Sequence, residues 1–510
     1  MSPDQLDARA KGLALALLAV TQFVIILDAS IVNVALPSIG SALDFSQDDL
    51  SWVVNAYTLT FGGFLLLGGR LADLMGRRRM FVTGLVLFTA ASLLGGLAQS
   101  DVWLIAARAA QGLGAALVSP AALALVTTIF REGAERNRAL GVWGAVAGSG
   151  GAAGVLLGGM LTEWAGWEWV LFVNVPIGLA AVALAPRLLP ESRDVGVARA
   201  FDATGAVLVT GGLALLVYTL VDAESAGWTS TQTLGLGALS LATIAAFVVW
   251  ESRVSDPLMP FSIFRLRTLR GANAVGLLLG MALFSMFFFL SLYLQQVLGF
   301  SALETGFAFL PLALVIIISS TVASQLVTRT GARPTLLVGM LLITGSLVWF
   351  SQASAGGSYV GDVLFPALVV GVGLGLAFVP VTIAAVTGTR PDEAGLASGL
   401  INTSQQIGGA LGLAILVSVA TSQTASAVED GIGNAAVALN EGFQTAFLVG
   451  AGFALLGAIV AALTISSRDC RKQLEGGVEV PVPCFGQPQE EPEGATAPAG
   501  AQTTPGVSGS

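Results

Sequence analysis

The sequence predicts an all-α polytopic membrane protein, two six-helix bundles with two extra spanning helices between them, about 14 in all. Three observations lead there. Of the 510 residues, 55% are hydrophobic and 11% charged, with a mean hydropathy of +0.82, whereas soluble domains carry about 25% charged residues. The apolar residues gather into runs long enough to cross a hydrocarbon layer about 30 Å thick. Basic residues collect at every second junction between those runs, as they do in loops that stay on the cytoplasmic face.

In chain order the runs lie near 13–36, 52–69, 80–98, 103–129, 139–162, 168–186, 203–221, 232–250, 271–294, 303–327, 335–352, 362–387, 397–421 and 443–466. Arg9 and Lys11 precede the first, and Arg70, Arg77, Arg78 and Arg79 close the second. Arg131, Arg136 and Arg138 follow the fourth, Arg187, Arg193 and Arg199 the sixth, and Arg253, Arg265, Arg267 and Arg270 the eighth. Arg329 and Arg333 follow the tenth, Arg390 the twelfth, and Arg468, Arg471 and Lys472 the last. The other junctions hold acids such as Asp44, Asp48, Asp49, Asp101, Glu163, Glu304 and Asp430; of the 23 basic residues only Arg108 falls elsewhere. One span too many or too few would scramble this alternation, so it checks the count and puts both termini in the cytoplasm. The net charge of −9 matters less than this sidedness. The first run leads straight into further spans, so no cleavable leader is expected. Abundant Ala, Gly and Val with little Lys is the composition of GC-rich bacteria, and a bacterial plasma membrane is the expected location.

Composition also removes chemistries. The chain has no histidine, which excludes HExxH zinc chemistry, His-ligated haem and His-based triads. Cys470 and Cys484 both fall in the tail, a reducing place, so no structural disulfide is expected. No metal site, cofactor, nucleic-acid partner or enzymatic activity is expected, and a proton-linked step falls to carboxylates.

The stretch 69–79, GRLADLMGRRR, reads as a tight charged turn between the second and third spans. Gly69 and Gly76 permit reversal and close approach, and Asp73 can pair with an arginine or face a helix N-terminus. With Arg77 and Arg78 this is either a topology anchor or a latch between sliding helices. The first span holds Asp28 and Asn33 inside an apolar run that ends near Pro37. An acid at mid-helix costs roughly 2.5–3.5 kcal/mol on insertion scales, so it belongs in a cavity or beside a partner; the alternative, with Pro37 only a few residues on, is a helix-end or packing polar group. Arg108, Gln111 and Ala115 share one face of the fourth span. Arginine keeps its proton and needs an anion, and Asp28 is the nearest candidate by depth; the alternative is an arginine that snorkels to the interface.

Gly144, Gly148, Gly154, Gly158 and Gly159 make small-residue stripes on the fifth span, suited to close packing or to a sliding interface. Trp164, Trp167 and Trp169 mark the outer interface. The halves echo each other: residues 324–333 are a worn copy of 69–78, with Thr328 where Asp73 stands, and Gly373, Gly375 and Pro380 answer Gly112, Gly114 and Pro120. This suggests an N-terminal six-helix bundle at 1–200, an extra hairpin at 201–252, a second bundle at 253–470 entered by a short interfacial helix, and a disordered cytoplasmic tail at 471–510. Asn402, Gln405 and Gln406 bring amides into the thirteenth span, either lining a cavity or bonding between helices. Phe284, Phe287, Phe288, Phe289 and Tyr293 make the ninth span aromatic, for a greasy substrate or for lipid.

On these motifs the chain resembles the major facilitator superfamily, and within it the fourteen-helix drug:proton antiporters. The 69–79 turn is similar to the superfamily's inner-loop signature, Asp28 to Pro37 to the first-helix signature of the fourteen-helix branch, and Arg108, Gln111, Gly112 and Gly114 to the fourth-helix motif linked with proton transfer. One departure is Val155 after Gly154, where the fifth-helix antiporter motif has proline, so the proline kink is expected to be missing. The resemblance implies a monomeric, proton-coupled exporter of hydrophobic or amphipathic drugs and antibiotics. Asp28 and Arg108 would couple protons, Gly69, Asp73, Gly76, Arg77 and Arg78 would latch, and the fifth-span glycines would serve as a packing hinge. Asn33, Gln111, Asn402, Gln405 and Gln406 would line the cavity. Alternatives are a nutrient or metabolite permease of the same fold, or a membrane sensor without a transport cycle.

Overall fold

A computed structural model describes residues 7–465 except 46–49, 51, 132, 192–201, 255–256, 258 and 390–392. The expected tail at 471–510, both cysteines, and Asp48, Asp49, Arg193, Arg199 and Arg390 lie outside the described residues.

Long helices follow one another as the apolar runs require. They are α1 (Ala8–Ala42), α2 (Trp52–Met75), α3 (Arg77–Gly96), α4 (Asp101–Ile129), α5 (Ala134–Trp164) and α6 (Asn174–Leu188), the last preceded by a single turn at Trp169–Phe172. Next come α7 (Ala203–Ala226) and α8 (Thr231–Glu251), then α9 (Arg267–Leu292), α10 (Ala302–Thr330), α11 (Ala332–Phe350), α12 (Phe365–Val386), α13 (Ala394–Glu429) and α14 (Ala435–Thr464). Among the described residues thirteen stretches are long and apolar enough to span a membrane, α6 counting together with its preceding turn (Trp169–Leu188), and α5 makes a fourteenth, bent by 43° between Gly151 and Ala153. The bend arises without the proline missing at Val155. It falls where Gly148, Ser149, Gly150 and Gly151 weaken the helix, and glycine–serine runs are an established cause of kinks.

Local chemistry starts and stops these helices. Asp7 accepts from Ala10 N, Ser100 from Trp103 N, and Ser301 with Glu304 forms a full capping box on α10. Two boundaries differ from expectation. Helix α1 runs through position 37 to Ala42, and α2 runs through Gly69 and Asp73 to Met75. The reversal therefore rests on Gly76 alone, at φ +107°, and Gly331 at φ +90° does the same in the second half.

Helix α1 packs along α5, α2 and α3 along α4, α9 along α13 and α14, and α11 along α12 and α14. The halves meet where α5 runs against α10, and α2 against α13. Helix α7 lies on α2 and α13: Trp52 stacks on Tyr218 at 5.7 Å, and Trp228 Nε1 donates to Ser418 Oγ at 2.7 Å. The linker after α8 forms a 3₁₀ turn at Phe261–Arg265, with Ile263 packed among Leu66, Leu396 and Leu400. Packing is tightest at the end that carries the arginine turns, the basic end. There every residue of α12 from Gly373 to Val386 is buried. On one face of α1, burial loosens from Gln22, 5% exposed, to the exposed Asn33 toward the opposite end.

Candidate functional site

Five helices of the first half converge on Asp28. Its Oδ2 accepts from Arg108 Nη1 at 2.6 Å, and its Oδ1 accepts from Gln111 Nε2 at 2.7 Å and Asn174 Nδ2 at 2.6 Å. Gln111 Oε1 accepts from Arg108 Nη1 at 2.6 Å, and Ser92 Oγ accepts from Gln111 at 2.6 Å and Asn174 at 3.4 Å. Arg108 Nε donates to Val53 O at 3.0 Å, and its guanidinium lies 4.4 Å from the centre of the Tyr57 ring. Tyr57 in turn donates to Ile25 O at 3.2 Å. Asp28, Arg108, Asn174 and Ser92 have 0% exposure.

The spacing of Arg108 and Gln111, one helical turn apart on α4, is what lets both reach one carboxylate. Arg108 does not snorkel. A buried ion pair survives only when hydrogen bonds satisfy its remaining polar atoms, and here two amides and a backbone carbonyl do most of that work. Apolar packing closes the cluster on both sides. Val24, Ile25, Leu85 and Phe88 lie in the cluster toward the basic end, and Ile31, Val32, Val53 and Leu104 in the one toward the other. Chemically, the arrangement is a carboxylate held beside a permanent cation, neither with solvent-accessible surface.

A second polar junction joins the two halves at the basic end. Asp73 Oδ1 accepts from Gly395 N at 3.0 Å and from Arg77 Nη2 at 3.1 Å, and its Oδ2 accepts from Leu396 N at 2.9 Å. Gly395 and Leu396 open α13, where backbone N–H groups lack helical partners and the dipole favours an anion. Both options read from the sequence for Asp73 are thus realised at once. Arg77 also donates to Thr128 Oγ1, while Arg78 and Arg79 reach Glu191 at 3.5 and 4.0 Å. Gly69 is a contact glycine rather than a turn: a Cβ there would stand 2.5 Å from Gly395 O. The worn copy has its own cross-link, Asn137 Nδ2 of α5 donating to Thr328 Oγ1 of α10 at 2.9 Å.

The α5 glycines divide between two partners. A Cβ at Gly154 would run into Ser30 Oγ, and one at Gly158 would stand 2.7 Å from Ile31 O, both on α1. Gly144 faces Val379 of α12, in the other half. Gly159 is buried, and the surroundings of Gly148 lie outside the described residues. The amides expected to line the cavity differ in their surroundings. Gln111 is enclosed with Asp28, whereas Asn33 is exposed on α1 with its Nδ2 3.5 Å from Ala29 O. Asn402 donates back to Ser398 O at 2.8 Å, the backbone of Gln405 packs on Gly280, and Gln406 is half-buried. Phe289 and Tyr293 enter the core, leaving Phe284 and Phe288 exposed.

Asn174, Ser92 and Tyr57 escaped the sequence reading. Asn174 left one signal, an amide inside the otherwise apolar stretch FVNVPIG. Ser92 and Tyr57 are residue types too common in spans to stand out.

Residues 18–413 match the family described as Major Facilitator Superfamily. The chain belongs to that superfamily. It is 42% identical to the puromycin resistance protein pur8 of Streptomyces alboniger, over 89% of this chain and 91% of that protein. Identity to the cephamycin export protein CmcT of Amycolatopsis lactamdurans is 43%, over 81% and 85%. Identity to the tetracenomycin C resistance and export protein of Streptomyces glaucescens is 33%, over 91% and 93%. Among solved structures, the human organic anion transporter MFSD10 (TETRAN) superposes with a TM-score of 0.61, covering 89% of this chain and 97% of that one at 17% identity. At that identity the likeness concerns the fold. A superfamily of transporters accounts for a chain almost wholly made of spanning helices.

Proposed function

We propose that this protein exports hydrophobic or amphipathic antibiotics and drugs from a bacterial cell in exchange for protons, by alternating access of a cleft between its two halves. The observation that carries the proposal is the fully buried Asp28–Arg108 pair, in a chain whose relatives are named for antibiotic resistance and export. A carboxylate paired with a cation in a solvent-excluded site is neutral overall. A proton added to Asp28 forms an O–H bond there and leaves Arg108 as a net positive charge without its partner. An uncompensated buried charge is strongly unfavourable, by about 3–5 kcal/mol when one partner of a buried pair is removed. That energy favours a rearrangement that hydrates the cluster, which is how proton binding would move helices.

Basic loops stay cytoplasmic, so both termini are inside and the basic end faces the cytoplasm. The Asp73–α13 and Asn137–Thr328 bonds then belong to a closed cytoplasmic gate, and their release admits substrate from the cell interior. The working unit is a monomer in lipid, with no cofactor and no covalent chemistry.

Inside-out vesicles test this with puromycin as the probe. Accumulation abolished by a protonophore is expected, together with its loss in Asp28→Asn protein that still reaches the membrane. Proton-driven movement of the probe out of those vesicles would instead favour a permease, and full activity of Asp28→Asn would remove its coupling role.

A further inference from the structure

Two amides face Asp28, and they are not equivalent. Gln111 is held at both ends: Oε1 accepts from Arg108, and Nε2 donates to Asp28 and Ser92. Turning it over would break three short bonds and set its NH₂ against the guanidinium. Asn174, at the start of α6, is held at one end only. Its Nδ2 donates to Asp28 at 2.6 Å and weakly to Ser92 at 3.4 Å, while its Oδ1 is buried without a hydrogen-bond partner. A buried carbonyl oxygen with nothing to accept costs about 1–3 kcal/mol, so its persistence needs a reason.

We propose that Asn174 is the positioning residue that serves both protonation states of Asp28, donating to the carboxylate and turning its amide to accept from the acid. This rests on the reading of Asp28 as the proton site. Half a turn about the terminal side-chain torsion, which is broad and two-fold, exchanges the amide N and O. With Asp28 ionised, the N–H faces it and the oxygen is idle. Once a proton sits on Asp28 Oδ1 and points at Asn174, the acid O–H and the amide N–H are two donors face to face, and the idle oxygen becomes the matching partner. The turn gives up the N–H bond to Asp28 and the long contact to Ser92, whose hydroxyl can then donate to the same oxygen. Arg108 of α4 and Tyr57 of α2 are the charged and titratable groups facing Asp28; α3 and α6 present Ser92 and Asn174, and α5 brings Gly154 and Gly158 to the adjoining turn. Among these, Asn174 is the group with a free acceptor.

Infrared difference spectra of the full-length protein in nanodiscs, titrated with pH, test this without any substrate. The carboxylic acid band of Asp28 is the one that Asp28→Asn deletes. In Asn174→Leu, similar in size but unable to accept, the band is expected at higher wavenumber, because the acid proton has lost its acceptor. Asn174→Ser, too short to reach and easier to accommodate, is expected to move it the same way. An unchanged band in either folded variant overturns the proposal. If Asp28→Asn deletes no titrating band, the proton-site reading itself fails, and this inference with it.

Discussion

Asp28 Oδ2 and Arg108 Nη1 stand 2.6 Å apart, on residues 80 positions apart in sequence, with neither side chain reaching solvent. Such a pair is costly to bury and costlier to break, so single and double neutralisations should part company. Asp28→Asn alone leaves the guanidinium without its anion and is expected to lose about 3–5 kcal/mol of stability as well as coupling. Arg108→Met alone strands the carboxylate and should do the same. In the double variant Asp28→Leu with Arg108→Met no buried charge remains, and thermal stability should return to near the parent while proton-driven transport stays absent. Unfolding in detergent followed by tryptophan fluorescence, beside vesicle transport, separates the two effects. A double variant no more stable than either single one would deny that the pair is the source of the penalty.

The bonds from Asp73 to Gly395 N and Leu396 N are charge-assisted, and such hydrogen bonds contribute about 1.5–3 kcal/mol each. Asp73→Ala is therefore expected to shift the balance away from the closed basic end by at least about tenfold, the equivalent of 1.4 kcal/mol. A cysteine at Ser324, buried at 3% exposure and facing Gly141 across the halves, reports this once Cys470 and Cys484 are replaced by serine. Labelling by an impermeant thiol reagent applied to inside-out vesicles should quicken in Asp73→Ala. An unchanged rate would mean that other contacts hold the gate.

Thr328 meets Asn137 through a neutral hydrogen bond, for which about 0.5–1.5 kcal/mol is usual. Thr328→Val keeps the shape and deletes the acceptor, so the same labelling rate should rise, but by less than in Asp73→Ala. The two cross-links lie on different helix pairs and share no partner, so their effects should add. A double variant with no more effect than Asp73→Ala would show that one latch alone determines closure.

Much of this was legible in the residues. Helix number and order follow from apolar run length and from arginine alternation, because a bilayer leaves few other solutions. Asp28 and Arg108 stood out since ionisable groups inside spans are rare, and Asp73 since an acid among arginines at a helix end has few partners. What the sequence could not carry was the far side of each contact. Gly395 and Leu396 contribute backbone N–H groups, which have no residue-type signature, and Ser92 contributes a hydroxyl of a kind found throughout the spans. The helix ends differ from the ends of the apolar runs at Pro37 and Gly69 for a related reason. Pro37 lacks an N–H and Arg70 and Asp73 are charged, yet the backbone is helical past both, because continuing the other i to i+4 bonds satisfies its polar groups more cheaply than a turn does.

The glycines of α5 offer a prediction in which position, not residue type, decides the outcome. Gly151 and Gly154 are three residues apart on one helix. A methyl at Gly151 would meet nothing within 4 Å, so Gly151→Ala should be tolerated, with a gain of up to about 1 kcal/mol in helix propensity. At Gly154 the same methyl runs into Ser30 Oγ and stands 2.8 Å from Leu27 O, a backbone atom that cannot rotate away. Gly154→Ala should therefore push α1 off α5, lowering stability by about 1–3 kcal/mol as overpacked cores do, and displacing Asp28 one turn away from the contact. Adding Ser30→Ala removes the hydroxyl but not the carbonyl, so it should recover only part of the loss. Melting temperature and proton-coupled transport of the three variants decide the matter. If Gly151→Ala proved as damaging as Gly154→Ala, flexibility of the glycine run would outweigh its close packing against α1.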